Sequence, residues 1–281
     1  MPLKHSGPTR MVVDSNALQS PLLRDYLSKS TSNFAVLTDY SSMEAYKGDT
    51  LVSIFQSMAL VAEFPRQVIV LKPIMVVRGL RGQRPGLQRR LIDHEQTRGF
   101  RKYCERLLAA KLGDVYLRDQ ILRRGREADA QMARVLVDAI NIPAAIEEVK
   151  NTFTDAELKI IRTGFPLSEQ LASKVIKYIL LLTHFLFSRH PGPAVRNFDE
   201  LLNTFLFRTA LCLFLYALDW ISMGGPTGVK AEKIRNDLVD MNIATFATYF
   251  DGLLTMDEKA RRIYQQAAFV LELITNGPGD N

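Results

Sequence analysis

The sequence has few of the residues that carry thiolate, imidazole or disulfide chemistry. Among 281 residues there are four histidines and two cysteines, Cys104 and Cys212. The cysteines show no paired spacing, so we expect neither a disulfide framework nor a zinc site, and a reducing compartment is the natural setting. No histidine shares a short motif with another histidine, a cysteine or a candidate catalytic serine, which disfavours Ser-His and Cys-His nucleophilic catalysis.

Long hydrophobic runs are also missing. The most apolar stretches are residues 179–187 and 209–218, which are shorter than the ~20 residues of a membrane span. Hydrophobic residues make up 47% of the chain, which is enough for a sizeable core. The short polar N-terminus does not resemble a signal peptide. We therefore expect buried core helices, no membrane association and a cytoplasmic location.

The positive charge is concentrated in one segment. The chain has a net charge of +6. Residues 78–126 hold 14 Lys or Arg and 5 Asp or Glu, a balance of +9, so the rest of the chain carries −3. A concentrated basic segment is typical of proteins that bind a polyanion such as nucleic acid. The alternative interpretation is a solvated helical face.

The apolar pattern predicts an α/β core at the two ends of the chain. Short apolar strands are predicted at residues 11–13, 34–37, 68–71 and 252–255, with helices at 18–27, 51–64, 231–250 and 257–274. Short apolar strands separated by helices indicate a parallel sheet covered by helices on both faces. A turn is expected near residues 241–242, within the third of these helices.

The middle of the chain is predicted to be all-helical. Helical patterns occur at residues 100–111, 115–124, 131–140, 155–163, 167–188 and 198–222. We therefore predict three segments. Residues 1–72 form the N-terminal part of the core, 73–230 a helical insertion with a basic loop, and 231–281 the C-terminal part of the core.

Acidic residues occur where the predicted strands end. Asp14 directly follows the first strand, and Asp257 closes the Thr255-Met256-Asp257 motif after the last one. Glu44 follows the second strand and is expected in the first turn of the next helix. Asp237 and Asp240 share a helical face, three residues apart. Because the carboxyl ends of parallel strands meet at one edge of the sheet, we expect these acids to gather there.

This order of acids resembles that of the PIN-domain ribonucleases. In that family the first strand ends in Asp-x-Asn, a Glu follows the second strand, a third Asp opens a helix, and the last strand ends in Thr-x-Asp. Asp14 and Glu44 are 30 positions apart, and Asp240 and Asp257 are 17 apart, near the family's usual gap. We favour Asp240 as the third acid, with Asp237 as its rival. The resemblance covers the first seventy and last fifty residues.

The resemblance implies a PIN-like short parallel sheet between helices, with a large all-helical insertion, and a metal-dependent nuclease activity. Gathered carboxylates repel one another, and Mg²⁺ or Mn²⁺ removes that penalty through hard oxygen ligands. Such an ion polarises a phosphoryl oxygen and lowers the pKa of a bound water. The implied metal ligands are Asp14, Glu44, Asp240 and Asp257.

The resemblance also gives roles to the remaining members of the implied catalytic set, which includes Asp237 as the alternative third acid. Asn16 would fix the loop of Asp14 through backbone groups, and Thr255 would hydrogen-bond to an acid or to the scissile phosphate. Asp257 would be either a ligand or an acid that orients water.

Each acid also has a purely structural interpretation. Asp14 and Asn16 could shape a turn and cap the next helix. Glu44 could be a surface acid. Asp237 and Asp240 could lie on a solvated helix face, and the motif that ends at Asp257 could be the N-cap of the last helix.

A loop after the third strand supplies candidate nucleic-acid contacts. Its arginines are Arg78, Arg81, Arg84, Arg89 and Arg90. Guanidinium groups suit phosphate oxygens. Lys47, close after Glu44, could touch a substrate phosphate or be an ordinary surface lysine. Phe100, Tyr103 and Tyr116 could stack on bases, although the core of the following helices is the preferred place for them.

The sequence therefore predicts an Mg²⁺- or Mn²⁺-dependent endonuclease, favoured as a ribonuclease of toxin-like or defence-effector type. RNA is preferred over DNA as the substrate. A homodimer or a regulatory protein partner is also compatible with the chain. The alternative is a non-catalytic PIN-like scaffold that binds a protein or nucleic-acid partner through the helical insertion.

Overall fold

A short parallel sheet of four strands lies in the part of the chain that the structure describes. The structure is a computed structural model and describes residues 8–139, 142–163, 167–190, 192–225 and 229–276. The strands are β1 (Thr9–Val13), β2 (Asn33–Leu37), β3 (Val68–Val70) and β4 (Gly252–Leu254). Their order is β3-β2-β1-β4, and every pairing is parallel. The predicted α/β class with a parallel sheet is confirmed.

The centre of the sheet joins the two ends of the sequence. Val12 of β1 pairs with Val36 on one side and with Leu253 on the other. The Asp14 amide donates to the carbonyl of Leu254 at 2.9 Å, which carries this pairing one residue past β1. Because all strands run the same way, the residues that follow β1, β2 and β4 lie at the carboxyl edge of the sheet.

Seven α-helices lie after β1 in the first half of the described chain. They are α1 (Pro21–Lys29), α2 (Asp39–Glu44), α3 (Thr50–Glu63), α4 (Ile74–Val77), α5 (Leu87–Leu91), α6 (His94–Lys111) and α7 (Val115–Ala139). Side-chain caps start several of them. The Ser20 hydroxyl accepts from the Leu22 amide at the start of α1, and the Asp93 carboxylate accepts from the Gln96 amide at the start of α6.

The remaining helices are α8 (Ile142–Thr152), α9 (Asp155–Thr163), α10 (Glu169–Arg189), α11 (Phe198–Leu202), α12 (Phe205–Ser222), α13 (Ala231–Ala247) and α14 (Glu258–Asn276). Their apolar faces account for their association. Phe153, Tyr178 and Phe214 pack with ring centroids 5.8 Å apart, joining the region after α8 to α10 and α12.

The chain divides into two compact units. The first comprises Met1–Val77, Gly86–Ala133 and Phe246–Arg261, and the second comprises Arg78–Pro85, Arg134–Thr245 and Arg262–Asn281. The first unit contains the sheet with α1 to α6, and most of the basic segment belongs to it. The predicted segments 1–72, 73–230 and 231–281 stay a prediction, because a compact unit is not necessarily an independently folding domain.

The core of the first unit is formed by the sheet and the helices beside it. Val13, Leu37 and Leu254 lie in one buried cluster with Ile54 of α3 and Phe100 of α6. In the second unit α12 is the most buried helix, with Phe205, Phe207 and Phe214 almost fully covered. Burial of such aromatic side chains is a main source of stability in a helical core.

Two described helices, α10 and α12, are long and apolar enough to cross a membrane by length and composition alone. The apolar run of α12 is 78% buried, as in the core helix of a soluble protein, whereas that of α10 is 28% buried. The apolar stretches noted in the sequence therefore lie within helices longer than the stretches themselves.

Three predicted helices have the wrong boundaries, and one predicted turn is wrong. The helices expected at 115–124 and 131–140 are a single helix, α7, which ends at Ala139; residue 140 lies outside the described residues. The helix expected at 198–222 is divided, because the Thr204 hydroxyl accepts from the Phe207 amide and starts α12 afresh. The turn expected near 241–242 is absent from the described α13, where the side chain of Asn242 donates to the Leu238 carbonyl within the helix.

Candidate functional site

Asp14 lies at the carboxyl edge of the sheet, immediately after β1, and only 1% of it is exposed. Its Oδ1 accepts from the Ser15 amide at 2.7 Å. Its Oδ2 accepts from the Thr255 hydroxyl at 2.6 Å and from Asn16 Nδ2 at 2.7 Å. Both carboxylate oxygens are therefore held in fixed positions by neighbouring donors.

Thr255 and Asn16 join the two ends of the chain around Asp14. Asn16 Oδ1 accepts from the Met256 amide at 2.8 Å, and the Thr255 hydroxyl accepts from the Asp257 amide at 3.0 Å. Asn16 thus bonds a backbone group of the last loop and the side chain of Asp14, and its predicted role stays a prediction. The orientation of Asp14 therefore depends on residues 241 positions later in the sequence.

Glu44 approaches Asp14 through Ser15. The Ser15 hydroxyl donates to Glu44 Oε2 at 2.5 Å and lies 3.4 Å from Asp14 Oδ1. Glu44 is the last residue of α2, so its predicted position in the first turn of a helix is wrong. The short helix ends where the chain must turn toward α3, which places the half-buried Glu44 side chain beside the loop after β1.

Buried hydroxyl groups hold α2 against the sheet. The Ser41 hydroxyl donates to the Val13 carbonyl at 2.7 Å and contacts the Thr38 hydroxyl at 3.0 Å. Thr38 also caps α2 by accepting from the Ser41 amide. Sequence reasoning missed Ser15, Thr38 and Ser41, although a cluster of hydroxyl residues directly after an apolar strand was the available signal.

Asp257 combines a structural contact with an electrostatic one. Its Oδ1 accepts from the Ala260 amide at 2.9 Å, so the helix-cap interpretation of this motif is satisfied. Burial raises the pKa of Asp14 above its ordinary value of 3.8, the negative charge of Asp257 adds to the rise, and hydrogen bonds from Thr255 and Ser15 oppose it. Asp14 and Asp257 are thus close enough to repel one another.

Asp237 and Asp240 belong to the second compact unit, whereas Asp14, Glu44 and Asp257 belong to the first. Both lie on α13 at the predicted spacing of three residues. Asp237 is 7% exposed and Asp240 is half-buried. The choice between them as the third acid stays a prediction.

The five arginines of the predicted basic loop do not form one structural group. Arg78, Arg81 and Arg84 lie in the second unit, and Arg89 and Arg90 lie in the first. Arg84 forms an ion pair with Asp199 across 2.5 Å. Their assignment to nucleic-acid binding stays a prediction.

The other candidate contacts differ in exposure. Lys47 is exposed, and its amide donates to the Glu44 carbonyl at 3.0 Å. Phe100 is a buried core residue, as preferred from the sequence. Tyr103 is half-buried and Tyr116 is 69% exposed. Of the three aromatics, Tyr116 therefore offers the most accessible ring surface.

Among the described residues, no group of three or more His, Cys, Asp or Glu side chains is arranged to hold a metal ion. The arrangement at the sheet edge is instead a pair, Asp14 and Glu44, that shares the Ser15 hydroxyl. Comparisons of the chain with protein-family models, curated proteins and solved structures found no match. This pair and its surroundings are therefore the candidate site of the described residues.

Proposed function

We propose that the chain is a metal-dependent endonuclease with a PIN-like core, acting on RNA in preference to DNA. The observation that carries the proposal is the convergence of Asp14 and Glu44 on the Ser15 hydroxyl at the carboxyl edge of a parallel sheet. Ligand sites of open α/β sheets form at this edge. The basic residues of the same compact unit supply the charge that a polyanionic substrate needs.

The donor set of this pair fits a hard divalent cation. Mg²⁺ keeps several waters and commonly takes one or two carboxylates together with substrate phosphates, so a full cage of protein ligands is not needed. Burial raises the pKa of Asp14, and a bound cation would lower that pKa by favouring the ionised carboxylate. Asp14 and Glu44 would hold the ion. When bound, Mg²⁺ or Mn²⁺ activates water and polarises the scissile phosphate.

The chain's own residues prepare this site before any substrate arrives. Thr255 and Asn16 donate to Asp14 Oδ2 and fix its direction. Ser15 donates to Glu44 and keeps its carboxylate near Asp14. The negative charge of Asp257 acts on the Asp14 carboxylate and contributes to its raised pKa.

The decisive experiment is a cleavage assay with matched acid-to-amide variants. Wild type, Asp14→Asn, Glu44→Gln and Asp25→Asn are incubated with tRNA or single-stranded RNA and Mg²⁺ or Mn²⁺. Asp25 lies on the exposed face of α1 and controls for loss of one negative charge. We expect wild type and Asp25→Asn to cut, and the other two to lose metal-dependent cleavage. Equal cutting by Asp14→Asn and wild type would refute the assignment.

A second candidate function, a partner-binding scaffold without catalysis, is favoured by one observation. Leu181 and Phe185 lie four residues apart on α10 and are 58% and 52% exposed. Residues at this spacing share a helix face, and exposed apolar pairs are typical of binding surfaces. Calorimetry separates the two functions. Mn²⁺ binding that is lost in Asp14→Asn supports the nuclease, whereas no Mn²⁺ binding by wild type supports the scaffold.

A further inference from the structure

A small cavity opens beside two tyrosine hydroxyls of the first compact unit. Its volume is about 30 Å³, enough for a water molecule or a phosphate oxygen. The polar residues that line it are Tyr46, Tyr103, Arg106, Gln120 and Arg124. The apolar residues Leu107, Leu117 and Ile121 complete the lining, so two arginines, two tyrosines and one glutamine surround a small space together with apolar neighbours.

One residue that lines the cavity, Tyr46, is close in sequence to Glu44 of the acidic pair. Tyr46 follows Glu44 by two residues, so their Cα atoms are at most about 8 Å apart. The Tyr46 hydroxyl lies 3.2 Å from the Tyr103 hydroxyl of α6. Tyr46 therefore links the cavity to the chain segment that carries Glu44.

A close helix contact places Arg124 near the start of α3. Gly125 packs so tightly on Thr50 that an added Cβ would be 2.6 Å from Thr50 Cγ2. Thr50 is the first residue of α3, which connects β2 to the parallel strand β3. Such a helix starts near the carboxyl edge and ends near the amino edge. Arg124, the neighbour of Gly125, therefore lies toward the edge that carries Asp14 and Glu44.

The charges and hydroxyls around the cavity suit a phosphate. Arg106 Nη2 donates to Gln120 Oε1, which holds the guanidinium of Arg106 in place between α6 and α7. Burial, the largest cause, raises the pKa of Tyr103 well above its ordinary value of 10.0, while the positive charge of Arg124 opposes the rise. Tyr103 therefore remains a neutral hydroxyl, which can donate to an anion without repelling it.

We propose that Arg106 and Arg124, with the Tyr46 and Tyr103 hydroxyls between them, bind a backbone phosphate of the nucleic acid whose cleavage is assigned to Asp14 and Glu44. This inference rests on the proposed function. It places the nearest phosphate contact on α6 and α7 rather than on the arginines of residues 78–90. Guanidinium groups recognise phosphate through paired hydrogen bonds, so two of them can position a strand as well as attract it.

Binding of a fluorescent single-stranded RNA, measured by anisotropy in EDTA, tests the inference without requiring cleavage. The test variant is Arg106→Gln with Arg124→Gln. The matched control is Arg101→Gln with Arg123→Gln, which removes one exposed arginine from each of the same two helices. We expect affinity to fall about tenfold or more in the test variant only, because hydrogen bonds to charged groups are the stronger ones. The slope of log affinity against log salt concentration should become shallower by about 0.7 for each phosphate that the variant no longer binds.

The outcomes separate the inference from the proposed function. If wild type binds and cuts RNA but both double variants lose the same affinity, the phosphate site is wrong and the nuclease proposal stands. If wild type neither binds nor cuts RNA, both fall together. Circular dichroism checks folding, and Arg106→Lys with Arg124→Lys should recover part of the affinity through charge alone. A single-stranded DNA of the same length decides whether the site distinguishes the two backbones.

Discussion

The close contact between Gly125 of α7 and Thr50 of α3 predicts how much Gly125→Ala changes the stability of the protein. In Gly125→Ala the new Cβ would lie 2.6 Å from Thr50 Cγ2 and 2.7 Å from Thr50 Oγ1. Ordinary contact between such atoms begins at about 3.5 Å, so the Thr50 side chain must rotate or one of the two helices must move. Rotating the Thr50 side chain relieves only part of the clash, because the Cβ of Thr50 would still be 3.2 Å away.

The size of the effect follows from two opposing terms. Overpacking of this kind costs roughly 1–3 kcal/mol, whereas replacing a helix-interior glycine by alanine gains about 0.8–1 kcal/mol. Gly99 provides the matched control, since it lies within α6 and an added Cβ meets nothing within 4 Å. We therefore expect Gly99→Ala to stabilise the protein, and Gly125→Ala to be less stable than Gly99→Ala by about 1–3 kcal/mol.

Chemical denaturation followed by circular dichroism measures these differences. In a Thr50→Ala background the two nearest atoms are gone and only the Cβ at 3.2 Å remains, so Gly125→Ala should then approach the stabilising effect of Gly99→Ala. The double-mutant cycle thereby isolates the contact itself. Equal stabilisation by both alanine substitutions in the wild-type background would show that α7 does not pack against the start of α3 at this point, and it would remove the support for Arg124 near the acidic pair.

Three further predictions concern Asp14, Thr255 and the two cysteines. The folded-state pKa of Asp14 is raised above 3.8, so its favourable contribution to the free energy of unfolding, relative to Asp14→Asn, should be full below pH 3.8. That contribution should be lost as the pH rises through the folded-state pKa. Unfolding of the two proteins across a pH series measures the difference in stability, and a difference that grows with pH would contradict the reasoning. Thr255→Val should cost about 1–3 kcal/mol because Asp14 loses a donor, while Thr255→Ser should retain most of the stability in the same unfolding assay. Burial raises the pKa of Cys104 to about 11 and that of Cys212 to about 12, so thiol labelling at neutral pH should be slow for both. The half-buried Cys104 should be labelled first, and faster labelling of Cys212 would contradict its burial in α12.

The strands were predictable because their apolar runs are short and end at polar residues. Val12 and Val13 are fully buried, and Asp14 directly follows them at the edge where parallel strands end. The pairing of β1 with β4 could not be read from periodicity, because an apolar strand carries no label for its neighbour. The gap between the two helices predicted in α7 begins at Gly125, where the missing side chain permits a close helix contact inside one continuous helix.

The candidate site was predictable only in part, for a similar reason. Asp14, Asn16 and Thr255 form the expected hydrogen-bonded group because each is fixed by a strand end. The link through Ser15 depends on where α2 ends, and a sequence pattern places a helix end only to within a few residues. Helical periodicity shows that Asp237 and Asp240 share one face of α13, but it does not show which residues that face contacts.

The closure of the Asp14 loop by Thr255 also has a consequence for the nascent chain. The two residues are 241 positions apart, and at typical rates of synthesis the second is made roughly 10–50 s after the first. During that interval β1 lacks β4, so one side of Met11, Val12 and Val13 presents unpaired backbone groups of the kind that invite association with other chains. An incomplete translation product therefore has an exposed strand edge and an unclosed acidic loop, and both are completed only when β4 has been synthesised.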